Sequence, residues 1–204
     1  MNNRINEFML LWIAVLMLHG LSEAVVASSN SFRNGIKGQL ILAPLTRGGN
    51  VAFRRLCNEF GASYTMSEMA YASSLFAKYK GQRNKERALL RQNPTDTSKF
   101  GFQVATRSSD EALRAADLAV EAGATWMDIN CGCPIWDVTR RGMGVSMLQQ
   151  PQRLFRFVEM TASKAPLPVT VKIRIGLTDK DVNVEEVVKG LEAAGAAAVT
   201  IHGK

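Results

Sequence analysis

Two cysteines one residue apart, Cys131 and Cys133 in the stretch DINCGCP (128–134), raise the first chemical question. Metal binding suits them poorly, because C-x-C with one distant histidine lacks the paired spacing of a structural zinc site. A disulfide between them would close a very small, strained loop. C-x-C is also not the C-x-x-C of thiol oxidoreductases. What remains is a reactive thiol beside a bystander, or two buried thiols. Cys133 precedes Pro134 in a glycine-bearing loop that can present its side chain, whereas Cys131 lies nearer an apolar run and reads as packing. Cys57, on the apolar face of a helical segment, reads as core.

Other polar residues end apolar runs in the same way. They are Glu68 in SYTMSEMA, Gln103 in FGFQVAT, Asn130 in WMDIN, Lys172 and Arg174 in PVTVKIRIG, and His202 in AVTIHG. Lys172 and Arg174 are two apart, which in a strand puts them on one face. Asp128 lies inside its run and is less certain to face the same way. Each residue has a plainer reading. His202 reads equally well as a hydrogen-bonded core histidine, Glu68 as a cap or ion-pair partner, and Lys172 and Arg174 as solvated charges. Their convergence says more than any one of them.

That convergence requires strands that end together. Short apolar runs read as buried strands over Gln39–Pro44, Ser63–Ala70, Phe100–Thr106, Trp126–Asn130, Pro168–Gly176 and Ala198–Gly203. Helical spacing with capping signals lies between them over Asn50–Ala62, Ser109–Ala124, Pro151–Ser163 and Asn183–Ala196, with Asn50 and Ser109 placed as caps. Strands alternating with helices give βα units and a parallel sheet. The order fits a (β/α)8 TIM barrel or a doubly wound sheet, and no G-x-G-x-x-G follows the first strand to favour the dinucleotide-binding version. In a barrel, functional groups gather at the C-terminal ends of the strands, where the residues above fall. A barrel closes with eight strands; about six βα units precede Lys204, so the expected fold is an incomplete barrel over 38–204.

The 204 residues are 47% hydrophobic and 21% charged, a globular composition. The net charge of +7 favours an anionic partner without identifying it. Three cysteines form no disulfide framework and suit a reducing compartment. Residues 1–37 are set aside as an N-terminal extension. Phe8–Leu18 is continuously apolar but short for a membrane span, and Arg4 before it with AVVASS (24–29) after it resembles a signal-peptide layout cleaved after Ala27. No stable membrane insertion and no metal are expected, and the chain reads as a monomer, cytoplasmic or organellar.

The motifs together resemble the tRNA-dihydrouridine synthase family. The match runs in family order from about Gln39 to Lys204. It takes in LAPLTRGGNVAFRRLCNEFGA, SEMA, FGFQVA, MDINCGCPIWDVTRRGMGVSML, PVTVKIRIG and AGAAAVTIHG. D-x-N-x-G-C-P near V-K-I-R-x-G is its specific signature, and APLT with GCPI looks most like the eukaryotic branch acting on the variable-loop side of tRNA. The resemblance implies an FMN-bearing barrel with a C-terminal helical tRNA-binding domain. It implies reduction of a uridine C5–C6 double bond in tRNA, with NADPH first reducing FMN. By motif position Cys133 is the proton donor, and Ala43, Pro44 and Leu45 line the flavin. Gln103, Lys172 and His202 contact the flavin, and Asn130 and Arg174 lie beside the reacting base or the flavin. One departure is Lys204 where the family usually has arginine after HG.

The chemistry suits these residue types. Hydride delivered to uracil C6 leaves negative charge along C5–C4–O4, and C5 must gain a proton. An ordinary thiol, with a pKa of about 8.5, is mostly protonated at neutral pH and can supply it. A lysine near the flavin N1–O2 edge would stabilise the reduced, anionic ring, and the uracil must leave its stack to reach the site. Arg140 and Arg141, just past the cysteine loop, are expected to contact tRNA phosphates, so that binding weakens with salt. The basic stretch Ala77–Asn93 reads as either a second such contact or a solvated helix face. Two alternatives stay open: another FMN-barrel oxidoreductase of the dihydropyrimidine or dihydroorotate type, and an inactive RNA-binding fragment. With about six strands, weak FMN retention, poor solubility and little activity are expected of the chain.

Overall fold

The computed structural model describes residues 23, 26–176, 178 and 182–203. The stretch Phe8–Leu18 and Lys204 lie outside the described residues. The strands are β1 (Ile41–Leu42), β2 (Tyr64–Met66), β3 (Ala70–Tyr71), β4 (Lys99–Ala105), β5 (Trp126–Cys131), β6 (Val169–Arg174) and β7 (Ala198–His202). The helices are α1 (26–35), α2 (Val51–Glu59), α3 (Ala72–Leu75), α4 (Lys80–Arg87), α5 (Ser109–Glu121), α6 (Trp136–Thr139), α7 (Pro151–Ala162) and α8 (Val184–Ala193).

All the strand pairs are parallel, and the sheet runs β1-β2-β4-β5-β6-β7 with β3 also on β4. Spatial order follows chain order with no reversal. A doubly wound sheet reverses at a switch point, so the winding is that of a barrel. The expected second strand is split. Ser67 leaves the ladder between β2 and β3, and its hydroxyl accepts from the Gln103 backbone N–H at 3.0 Å.

Period-two alternation sorts the strands into two faces. Phe102, Val104, Met127, Ile129, Cys131, Val169, Val171 and Ile173 are buried in the main apolar cluster with residues of α5, α7 and α8. Removing each such large side chain from water contributes about 1.5–3 kcal/mol. The opposite face carries Gln103, Asp128, Asn130, Thr170, Lys172 and Arg174. At its N-terminal end that face is closed by aromatic rings. Trp126 lies 5.6 Å from Tyr64 and 5.4 Å from Phe32, between ring centroids. Gly101 sits under the Trp126 ring, where a Cβ would come within 2.1 Å of Cε2, so only glycine fits.

Phe32 belongs to α1, and Ile36 just after it packs on the same cluster. Arg33 donates to the carbonyls of Ala197 at 3.1 Å and Ala196 at 2.9 Å, tying α1 to the start of β7. Residues 26–36, set aside with the extension on sequence grounds, therefore plug the bottom of the sheet.

Several local expectations shift. The α5 cap is Ser108, whose side chain accepts from the Glu111 N–H, rather than Ser109. Asn50 does cap α2, accepting from Phe53 at 3.0 Å. The apolar stripe of α2 does not form a core face: Leu56 and Phe60 are exposed, Cys57 is half-buried, and Arg54 is buried instead. Arg54 donates to Gly49 O at 2.7 Å and to Arg91 O, and its guanidinium lies 4.7 Å from the Phe100 ring centroid. Two backbone acceptors and an aromatic face compensate its burial better than the stripe could be covered at the β1 edge. The basic stretch contains α4, which buries none of its residues. The lone acid, Glu86, accepts from the Tyr71 N–H at 2.9 Å and anchors that helix to the sheet.

Candidate active site

The inward face brings the strand-end residues together in layers. Register pairs Gln103 with Asp128 and Asp128 with Thr170; one layer up it pairs Asn130 with Lys172 and Lys172 with Thr200; above that, Arg174 with His202. Asp128 thus shares the face of Asn130, which settles its orientation.

A chain of hydrogen bonds climbs these layers. Thr170 Oγ1 donates to Asp128 Oδ1 at 2.5 Å, and Gln103 Nε2 donates to Asp128 Oδ2 at 2.8 Å. Asn130 Nδ2 donates to Gln103 Oε1 at 2.9 Å. Asn130 Oδ1 then accepts from the backbone N–H groups of Gly132, at 3.2 Å, and Cys133, at 2.9 Å. The acceptor-only carboxylate fixes which way the Gln103 amide points. Gln103 in turn fixes Asn130, and Asn130 holds the cysteine loop. Gln103 is 1% exposed, so its bonded role is to orient Asn130. Burial pushes the Asp128 carboxyl up to about 6, against the opposing effect of the bonds from Gln103 and Thr170 and of the Lys172 charge.

The Cys133 backbone is held from both sides. Its carbonyl accepts from the Val145 N–H at 3.0 Å, and Gly144 (φ 62°) packs so close that a Cβ would meet the same carbonyl oxygen at 2.4 Å. Arg174 Nε donates to Gly132 O at 2.8 Å. The side chain of Cys133 is half-buried beside Met69, Tyr71, Ala105, Val138 and Met143. Cys131 points the other way: it is fully buried, its sulfur 3.7 Å from the Met147 sulfur, and burial pushes its thiol pKa up strongly. One thiol is presented and the other is packed.

Lys172, Arg174 and His202 crowd the upper layers. Burial lowers the Lys172 pKa, with Arg174 adding to the effect and Asp128 opposing it. The charges of Lys172 and Arg174 lower that of His202. Two cations, Lys172 and Arg174, beside a histidine whose protonation they depress form a surface that favours an anion. Of the β1 exit, Ala43 and Leu45 are exposed and Pro44 is half-buried. Glu68 takes a structural role beside them, accepting from the Arg47 N–H at 2.7 Å in a turn where Arg47 has φ 62°.

Arg140 and Arg141 both pair with Asp137, and Tyr71 Oη donates to Asp137 Oδ2 at 3.0 Å. The Arg141 guanidinium lies 5.0 Å from the Tyr71 ring centroid. Burial and the bond to Asp137 raise the Tyr71 pKa. Sequence reasoning missed Tyr71 and Asp137. Asp137 was readable as the acid three and four residues before two arginines, a helical pairing distance; Tyr71 had only its place past a strand end. Among the described residues, no group of three or more His, Cys, Asp or Glu side chains is placed to hold a metal. No helix among them is long and apolar enough to cross a membrane.

Residues 41–204 match the family model described as dihydrouridine synthase. The chain belongs to the dihydrouridine synthase family. Its relatives include the tRNA-dihydrouridine(47) synthase [NAD(P)(+)] of Meyerozyma guilliermondii, 36% identical over 173 residues, which covers 83% of this chain and 28% of that protein. The tRNA-dihydrouridine(47) synthase [NAD(P)(+)] of Candida albicans is 37% identical over 174 residues, covering 83% and 28%. The corresponding "-like" protein of Arabidopsis thaliana is 36% identical over 169 residues, covering 82% and 24%. The chain therefore spans about a quarter of the length of these relatives. A crystal structure of phosphonopyruvate hydrolase superposes with a TM-score of 0.52 at 13% identity, covering 87% of this chain and 63% of that one, a likeness of fold alone. As a dihydrouridine synthase domain, the sheet is the first part of a TIM barrel in its winding and in the placement of its polar strand ends.

Proposed function

We propose that the protein reduces the C5–C6 double bond of a uridine in tRNA, using FMN and a reduced nicotinamide dinucleotide, with NADPH as the reductant. The observation that carries the reading is that, of the two thiols in the cysteine loop, one is presented and one is packed. Cys133 is fixed by Asn130 and Val145 at the C-terminal end of β5, on the side where Lys172, Arg174 and His202 gather. The relatives are named for position 47, which makes that uridine the first substrate to try.

The residues fit the flavin by charge: a cationic surface at the ends of β6 and β7 suits a ring that becomes anionic on reduction. Lys172, Arg174 and His202 would hold it with Asn130 and the Ala43-Pro44-Leu45 exit, Gln103 acting through the Asn130 amide that it orients. When bound, FMN supplies the hydride for uracil C6. Cys133 gives its proton to C5 as negative charge develops on the base, Arg174 offsets that charge, and Lys172 would offset the charge of the reduced ring. Arg140 and Arg141 meet RNA phosphates while Asp137 holds them in place.

The test supplies the protein with FMN, NADPH and tRNA lacking the modification and measures dihydrouridine by mass spectrometry. Dihydrouridine at position 47 is expected. Reduction of free uracil or orotate instead would transfer the reading to a dihydropyrimidine or dihydroorotate type of enzyme. RNA binding without any reduction would leave a binding role alone.

A further inference from the structure

A cavity of about 400 Å³ lies beyond the cysteine loop, on the flank of the sheet, and four arginines line it: Arg107, Arg140, Arg141 and Arg153. They come from three places, the loop after β4, α6 with its following turn, and the first turn of α7. No carboxylate is among the lining residues. Asp137 pairs with Arg140 and Arg141 from outside the cavity. Among the described residues, Arg107 and Arg153 have no side-chain hydrogen bond or ion pair. Arg107 lies along the turn at Gly142, where a Cβ would stand 3.4 Å from its Nη1. Like charges gathered around one concavity repel each other unless an anion sits between them. The floor is apolar, from Met147, Leu154 and Phe157, all nearly or fully buried. The volume is in the range of small-ligand sites, roughly 300–1,000 Å³.

We propose that this cavity is a second RNA contact, separate from the inward face of the barrel, in which Arg107 and Arg153 hold backbone phosphate. The inference rests on the reading of the chain as a tRNA-modifying enzyme. Guanidiniums recognise phosphate through paired N–H donors, and the apolar floor accommodates the sugar or base attached to it. Two sources carry that chemistry: the RNA backbone and the phosphates of the nicotinamide dinucleotide. The RNA backbone is favoured because Arg140 and Arg141 belong to the segment that carries Cys133. A strand whose uracil reaches Cys133 brings a phosphate with every nucleotide across that segment, and Arg107 and Arg153 continue its path.

The experiment compares the parent chain, the Arg107→Gln/Arg153→Gln variant and a Lys37→Gln/Lys164→Gln control. The control removes the same charge from exposed sites at the opposite ends of the strands and of α7. Affinity for unmodified tRNA is measured across a salt series, with NADPH binding measured in parallel. The arginine variant should lower the slope of log affinity against log salt by about 2, one for each phosphate contact, while the control lowers it by less than half of that. NADPH binding should not change. A slope equal to that of the control overturns the cavity as an RNA contact and leaves the modification reading intact. Loss of NADPH binding with an unchanged tRNA slope overturns it in favour of the dinucleotide phosphate. No tRNA binding by the parent chain overturns both the cavity and the tRNA-modifying reading.

Discussion

Asp128→Asn should stabilise the protein near neutral pH and leave it unchanged in acid. Asp128 is fully buried and its carboxyl titrates at about 6, against 3.8 for an unperturbed aspartate. Below about 4 the group is protonated both folded and unfolded, and it has no effect on the pH dependence. Between the two values the folded chain holds a proton that the unfolded chain has released, so stability falls as pH rises. Above about 6 both states are ionised, and the folded state carries the whole desolvation cost. At 1.36 kcal/mol per pH unit the loss across this window is about 3 kcal/mol. Asparagine keeps the bonds: its oxygen accepts from Gln103, and its amide donates to Thr170 in place of accepting. It keeps no charge. The stability difference between variant and parent should therefore grow by about 3 kcal/mol from about pH 4 to about pH 7, read by urea unfolding at each pH. A difference that stays constant across that range would overturn this, because Asp128 would then ionise at the same pH folded as unfolded and burial would not be raising its carboxyl.

Three further outcomes follow from packing. Gly101→Ala sets a Cβ 2.1 Å from Trp126 Cε2 and should cost about 1–3 kcal/mol or more of stability in thermal unfolding. Phe32→Ala removes an aromatic ring from the plug and should cost about 3 kcal/mol; no change would mean that α1 does not close the sheet. Asn130→Ala releases the amides of Gly132 and Cys133, so alkylation of Cys133 should speed up several-fold in peptide-mapped mass spectrometry while Cys131 stays protected.

Parity along the strands made much of the site legible. Gln103, Asn130, Lys172, Arg174 and His202 each end an apolar run, and alternation sets Lys172 beside Arg174; Asp128, left open by its place inside the run, needed the strand register to put it beneath Asn130. Proline and glycine around Cys133 distinguish the two thiols in the sequence itself. Register was not legible, because nothing local tells Asp128 that Thr170 is its neighbour; that depends on how far β6 slides along β5. The plug was hidden for a related reason: Phe32 meets Trp126 across more than ninety residues, from a helix that follows an apolar stretch resembling a targeting signal. The cavity was hidden because Arg107 and Arg153 are unremarkable singly and come together only in the lining of one concavity. The stripe on α2 misled because periodicity reports an apolar face without saying whether anything covers it.

The central claim is that one of two adjacent thiols donates the proton. Dihydrouridine formation in unmodified tRNA, compared for Cys133→Ala and Cys131→Ala with flavin content measured in both, tests it most directly. Cys133→Ala should keep flavin and tRNA binding but lose nearly all turnover, while Cys131→Ala, changed only on the packed face, should keep turnover. Full turnover by Cys133→Ala with flavin bound would contradict it.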